Sequence, residues 1–221
     1  MARRPDEGGS DSSQAEILRE YGPFSDAEPV AGVTFDGESV WFAAGERLQS
    51  FDPESGRLGR TIDVRADAGT AFDGHHLFQL AGGTIQKIDP MTGKVISTLP
   101  SPAADGSSGL TWAEGTLWVA HYRERKIHQV DPTTGEVLRT LESTRFVTGV
   151  TFVAGELWHG TWEDGESELR RISKDTGEVL EALKMPSGTI VSGLESNGTD
   201  RFYCGGGPAG KVRAVRHPKR R

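Results

Sequence analysis

The chain has 221 residues, 35% hydrophobic and 26% charged, which is enough to bury a real core as a single soluble domain. A net charge of −7 opposes general nucleic-acid binding, which needs a basic surface to displace counterions. No apolar run reaches the ~18 residues of a membrane span, "MARRPDEGGSDSSQ" lacks a signal peptide's apolar segment, and the one cysteine, Cys204, excludes an internal disulfide. A cytoplasmic location is expected.

Residues 1–13 are polar and read as a disordered tail. "AEILREY", Ala15 to Tyr21, has the pattern of a strand but stands outside any complete unit. Five units then follow, in each of which a glycine precedes an aromatic residue by nine positions: Gly32 and Trp41, Gly69 and Phe78, Gly109 and Trp118, Gly149 and Trp158, Gly193 and Phe202. The spacing between the glycines matches the ~40–45 residues of a four-stranded propeller blade.

Within a unit, the inner strand A ("GVTF", "GTAF", "GLTW", "GVTF", "GLES") leads through a tight turn such as Asp36-Gly37 or Asn197-Gly198 into strand B. Strand B is "SVWFAA", "HLFQLA", "TLWVAH", "ELWHGT" or "RFYCGG", and strand C runs from "RLQSFD" in the first unit to "KVRAVR" in the last. Turns such as "DPESG", "DPMTG" and "DPTTG" then lead into strand D, with Asp52, Asp89 and Asp131 as turn residues.

The fifth unit ends without a strand D, whereas "AEILREY" matches the strand D "GEVLRTL" position by position. The fold expected is therefore all-β: a five-bladed β-propeller over residues 14–218, its ring closed by the N-terminal strand completing the last blade. Closure protects the sheet edges. Residues 219–221 form a basic end, the tip of "KVRAVRHPKRR", which reads as a solvated tail.

The pattern Gly-Leu-x-x-x-x-Gly-x-Leu-Trp followed by Asp-Pro-x-Thr-Gly-x-Val resembles the plant-type and bacterial glutaminyl cyclase (glutamine cyclotransferase) propellers, and more distantly quinoprotein-like propellers and streptogramin lyases. These motifs are turn and packing residues. The resemblance implies a transferase that cyclises glutaminyl groups, and its late-blade Leu-Glu is matched by Leu194 and Glu195.

The chain alternates ends, so the A–B and C–D turns share a repetitive face while the B–C and D–A connections share a variable one. The variable face carries "HYRERK", "TWEDGESE" and "CGGGPAG", and is the expected site. On the inner strands, Thr34, Ala71, Thr111 and Thr151 are answered in the fifth unit by Glu195, a candidate general acid or base. The position after the strand B aromatic carries Phe42, Gln79, Val119, His159 and Tyr203, and His121 lies on the same strand side as His159 would. Each histidine also suits a core group bonded to a backbone carbonyl, and Glu195 also suits a partner for Arg123 or Arg145.

Three functions fit. A cyclase uses Glu195, His159 and His121 as its catalytic set, with Gln79, Tyr122, Arg123, Trp162 and Arg145 holding a small-molecule or peptide substrate and no cofactor expected. A lyase or hydrolase of streptogramin lyase type places a divalent metal between His121, His159 and Glu195. A non-catalytic module grips its partner with Tyr122, Arg123 and Trp162. No nucleic-acid or membrane partner is expected, and the expected state is a monomer. Cys204 reads as a buried thiol.

Overall fold

Period-two alternation broken by glycine turns every few residues leaves short antiparallel strands as the natural conformation, and strands fill this computed structural model. It describes residues 11–24, 29–102, 104–208 and 210–218. Residues 1–10 of the expected tail and the basic end 219–221 lie outside the described residues.

Two strands precede the first unit, β1 (Asp11–Gln14) and β2 (Ile17–Tyr21). Blade one holds β3 (Val33–Phe35), β4 (Val40–Ala44), β5 (Arg47–Phe51) and β6 (Leu58–Asp63). Blade two holds β7 (Thr70–Phe72), β8 (Leu77–Ala81), β9 (Thr84–Ile88) and β10 (Val95–Pro100). A 3-10 turn, Ala104–Gly106, leads into blade three: β11 (Ser107–Ala113), β12 (Thr116–His121), β13 (Lys126–Val130) and β14 (Val137–Glu142). Blade four holds β15 (Val147–Val153), β16 (Glu156–Thr161), β17 (Glu168–Ile172) and β18 (Val179–Lys184), and β19 (Gly193–Ser196), β20 (Arg201–Gly206) and β21 (Lys211–Arg216) begin blade five.

The fifth sheet has the order β19-β20-β21-β2, so the ring closes as the sequence predicts. Ile17 pairs with Val215 and Tyr21 with Val212. Glu20 accepts hydrogen bonds from Lys211 at 2.9 Å and Arg213 at 2.8 Å, and the Tyr21 hydroxyl reaches across to the Pro53 carbonyl of blade one at 2.9 Å. One strand was not anticipated: β1 adds in parallel to β18, pairing Ser12 with Ala182 and Ser13 with Leu183, as a fifth strand on blade four.

The C–D turns hold themselves. Asp89 accepts the Met91 N–H at 2.8 Å and the Thr92 hydroxyl at 2.8 Å, and Asp131 repeats the motif with Thr133 and Thr134. These bonds stabilise the ionised form and keep both carboxyls below the usual aspartate range.

The core is divided among the seams between blades. Trp41 packs with Leu77 and Ile88 across the first seam, Phe78 with Leu117 and Val119 across the second, and Trp118 with Val150 and Leu157 across the third. Trp158 meets Leu194, Phe202 and Cys204 across the fourth, and Tyr203 meets Phe42 and Phe51 across the last. Cys204 is buried, which pushes its thiol up to about 12.

Blade five departs from the repeat by one residue. Leu194 pairs with Cys204 where Val150 pairs with His159, because the turn after Ser196 holds one residue more. Tyr203, opposite Glu195, is thus the counterpart of Trp158, opposite Thr151. The alignment of Phe202 with the other strand B aromatics, and of Tyr203 with His159, is corrected: Cys204 takes the place of His159.

At the axis, the five repeat glycines form a constriction. A Cβ on Gly32 would meet the Thr70 nitrogen at 2.8 Å, one on Gly69 the Gly109 Cα at 2.8 Å, and one on Gly109 the Val150 nitrogen at 2.8 Å. On Gly149 it would meet Gly193 at 2.7 Å, and on Gly193 the Val33 nitrogen at 2.7 Å, which completes the circuit. Only glycine lets five inner strands approach this closely.

Candidate functional site

Beside this ring, on the variable face, lies a cavity of about 290 Å³. The residue just before each repeat glycine lines it: Ala31, Ala68, Ser108, Thr148 and Ser192, one from each blade connection. The two alanines come from the first two blades and the three hydroxyl residues from the others, with the Ser108 hydroxyl donating to the Val147 carbonyl at 2.8 Å. Tyr122 and Trp162, from the B–C turns of blades three and four, add aromatic walls.

These walls are held in place from behind. The Tyr122 ring stacks on Phe146 at 4.9 Å, and the Arg125 guanidinium lies 4.4 Å from the centre of the same Phe146 ring. Arg125 donates to Glu163 at 2.6 Å, next to Trp162, and to the Thr144 carbonyl at 3.0 Å. Arg145 lies 3.8 Å from both Glu163 and Glu168. It therefore belongs to the ionic network behind the lip.

Asp67 also lines the cavity, and sequence reasoning missed it. It stands two residues before Gly69, where the other units carry Val30, Ser107, Val147 and Val191. A carboxylate among valines and a serine at one repeat position was the available signal. Asp67 joins this cavity to a lateral one of about 300 Å³ that shares Ala68 and Ser107 and extends to Gly82, Gly83 and Arg65.

Glu195 lies elsewhere. It follows Ser192, the last cavity residue before its strand, by three positions, or about 10 Å of extended chain, with the glycine ring between. Its carboxyl bridges blades four, five and one: Thr34 donates to Oε2 at 3.0 Å, Thr151 donates to Oε1 in a short hydrogen bond, and the Ser196 N–H donates to Oε1 at 2.8 Å. Burial raises the carboxyl to about 7 against the lowering effect of these bonds. No ion pair to Arg123 or Arg145 forms among the described residues, and Arg123 is exposed on its turn.

The histidines are placed in different seams. His159 is fully buried with its cross-strand partner Val150 against blade three, its Nδ1 3.1 Å from the Gly160 carbonyl and its Nε2 without a partner. Burial lowers it to about 4, so it is neutral at physiological pH. His121 ends β12, packs against Gly106, and lies 3.8 Å from Glu124. Strand parity aims it with Leu117 and Val119 toward blade two.

Gln79 is consumed by its own blade: Thr70 donates to its Oε1 at 2.6 Å, and its Nε2 donates to the Ala68 and Leu80 carbonyls at 3.0 and 2.7 Å. Of the expected residues, the structure thus brings Tyr122 and Trp162 together at a cavity and leaves Glu195, His159, His121 and Gln79 outside its lining. His121, His159 and Glu195 do not converge, and no group of three or more His, Cys, Asp or Glu among the described residues is arranged to hold a metal ion.

A ring of five four-stranded blades with a ligand-sized cavity at one mouth of its axis defines the protein as a five-bladed β-propeller. The chain belongs to the family described as "Repeat of unknown function (DUF6923)", whose match spans residues 67–194. Its fold is similar to the crystal structure of Myxococcus xanthus glutaminyl cyclase, with a TM-score of 0.78 and 17% sequence identity over 94% of this chain and 98% of that one. It is also similar to Kuenenia stuttgartiensis hydrazine synthase, with a TM-score of 0.52 and 17% identity over 81% of this chain and 56% of that one. At such identity both likenesses concern the fold alone. No curated protein matches the sequence.

Proposed function

We propose that the protein is a glutaminyl-cyclase-like propeller that takes a small polar ligand or a peptide end in its axial cavity. One observation carries this reading: all five blade connections and two aromatic side chains from the variable face line a single cavity beside the axis. Pockets of this size with a few placed polar groups suit small ligands.

The reaction to assay is cyclisation of glutamine, a second reading supported by the whole-chain likeness to a bacterial glutaminyl cyclase. In that reaction the amine nitrogen attacks the side-chain amide carbon, the bond to the amide nitrogen breaks, and a proton passes from one nitrogen to the other as ammonia leaves. The proton must be carried by a group within hydrogen-bond reach of the substrate. Asp67 and the Tyr122 hydroxyl line the cavity, whereas Glu195 lies past the glycine ring.

The test is ammonia release from glutamine and short glutaminyl peptides by folded protein, with and without a chelator. Turnover lost in Trp162→Ala and unaffected by chelator supports cyclisation in this cavity. Ligand binding without ammonia release leaves a binding module, and chelator-sensitive turnover points to the lyase or hydrolase alternative.

A further inference from the structure

We infer that the axial cavity recognises a cationic primary amine, with Asp67 as its anchor; this rests on the cavity being the ligand site. Three observations converge. Asp67 is the one carboxylate among the described lining residues of the axial cavity, and no Lys, Arg or His lines it. The one charged group on the axial wall is therefore an acceptor, and an ammonium finds a partner there while a carboxylate or phosphate finds no cation. Tyr122 and Trp162 line the same cavity, and aromatic ring faces attract ammonium groups.

The carboxylate has capacity to spare. Arg65 Nε donates to Asp67 Oδ2 at 2.8 Å from the lateral cavity, while Oδ1 has no hydrogen bond among the described residues. The Asp67 side chain is 37% exposed, so it meets a ligand without a desolvated pair having to be broken.

Thr148 also lines the cavity and is 6% exposed, but its hydroxyl is buried against Gly160 of β16, so the wall at this point offers bulk and no hydrogen bond. The polar recognition in the cavity therefore rests on Asp67. Because Asp67 sits where the two cavities meet, the amine can belong to a free small molecule or to the amino end of a peptide whose chain leaves through the lateral cavity past Gly82 and Gly83.

The test is calorimetric titration of the full chain with glutaminamide, a glutaminyl tripeptide, N-acetylglutaminamide and a panel of other primary amino-acid amides. Free-amine probes should bind, N-acetylation should weaken binding about tenfold or more, and Asp67→Asn should weaken the free-amine probes by a similar factor without affecting the acetylated one. Preference for glutaminamide or for the tripeptide then identifies the source of the amine, and either upholds the inference. Equal binding of acetylated and free probes, an unaffected Asp67→Asn, or no binding of any amine overturns it. Binding that depends on the free amine and on Asp67 but not on Trp162 would instead move the site away from the axial cavity, so the two readings fail separately. The Asp67 side chain is partly exposed and, among the described residues, bonded only to Arg65, so circular dichroism of Asp67→Asn should show an intact fold.

Discussion

Glu195 and His159 are two buried groups shifted in opposite directions, and together they predict a concealed pH dependence of stability. Glu195 rises from 4.5 to about 7, so between those values the folded chain holds a proton that the unfolded chain has released. Its contribution is fully present below pH 4.5 and is lost as pH rises through 7. His159 falls from 6.5 to about 4, so the unfolded chain holds a proton that the folded chain lacks, and stability rises with pH across that window. At about 1.4 kcal/mol per pH unit, each contributes roughly 3 kcal/mol.

From pH 4.5 to 6.5 the two slopes oppose and nearly cancel. Urea unfolding of the wild type should therefore show little change from this pair across that range. Glu195→Gln removes the falling limb, and its stability should rise by roughly 2 kcal/mol between pH 4.5 and 6.5, the part of the His159 contribution that falls inside this window. His159→Gln should fall by a similar amount; blade two already carries Gln79 at the corresponding position, so the side chain fits the repeat. His128, lowered chiefly by burial, titrates alike in all three proteins and drops out of the comparison. Parallel stability profiles for wild type and the two variants would refute the assignment of either group as buried and shifted.

The remaining predictions concern closure, the axis and the site. Of the described strands, deleting residues 1–14 removes the short parallel β1, whereas deleting 1–21 also strips blade five of β2; calorimetry should show a much larger loss of melting temperature for the second, and equal losses would defeat the closure. Gly109→Ala forces a methyl to within 2.8 Å of the Val150 nitrogen, so urea unfolding should show a loss of about 1–3 kcal/mol, and an unchanged midpoint would mean the axis is looser than described. Arg125→Ala removes the contacts to Phe146, Glu163 and Thr144 and should make Trp162 more accessible to acrylamide, measured as the fluorescence difference from the same variant carrying Trp162→Phe; unchanged quenching would show that the lip does not depend on this arginine.

The ring was legible because its signals are local. Each blade needs a glycine where the inner strands crowd, a turn that accepts positive φ, and an aromatic residue for the seam, and all three recur at fixed spacing. Closure was legible for the same reason, since β2 had to be a strand D and one unit lacked one. What escaped was non-local. β1 is "DSSQ", which has no strand pattern and is held by backbone pairing with an edge that other residues create. The register of blade five escaped because one added turn residue moves every following side chain to the opposite face.

The site was harder to read because parity gives the side of a strand and not its depth or its neighbour. Parity correctly turned His159 away from Trp158, but the side it faces is the seam to blade three, where no ligand has access. Glu195 was correctly set on the axis, yet the axis is two compartments, and the repeated glycine that announces the fold is also what divides them. Below the ring, Glu195 ties Thr34 to Thr151 across three blades and serves the closure of the propeller. Above it, recognition falls to the residues immediately before each glycine. Those positions tolerate Ala, Ser or Thr without disturbing the inner strands, and one position further out tolerates Asp67. Ligand choice can therefore change by substitution at these ten positions while the glycine ring and the acid clasp beneath it stay as they are, which is why the repeat advertises the fold so clearly and the chemistry so little.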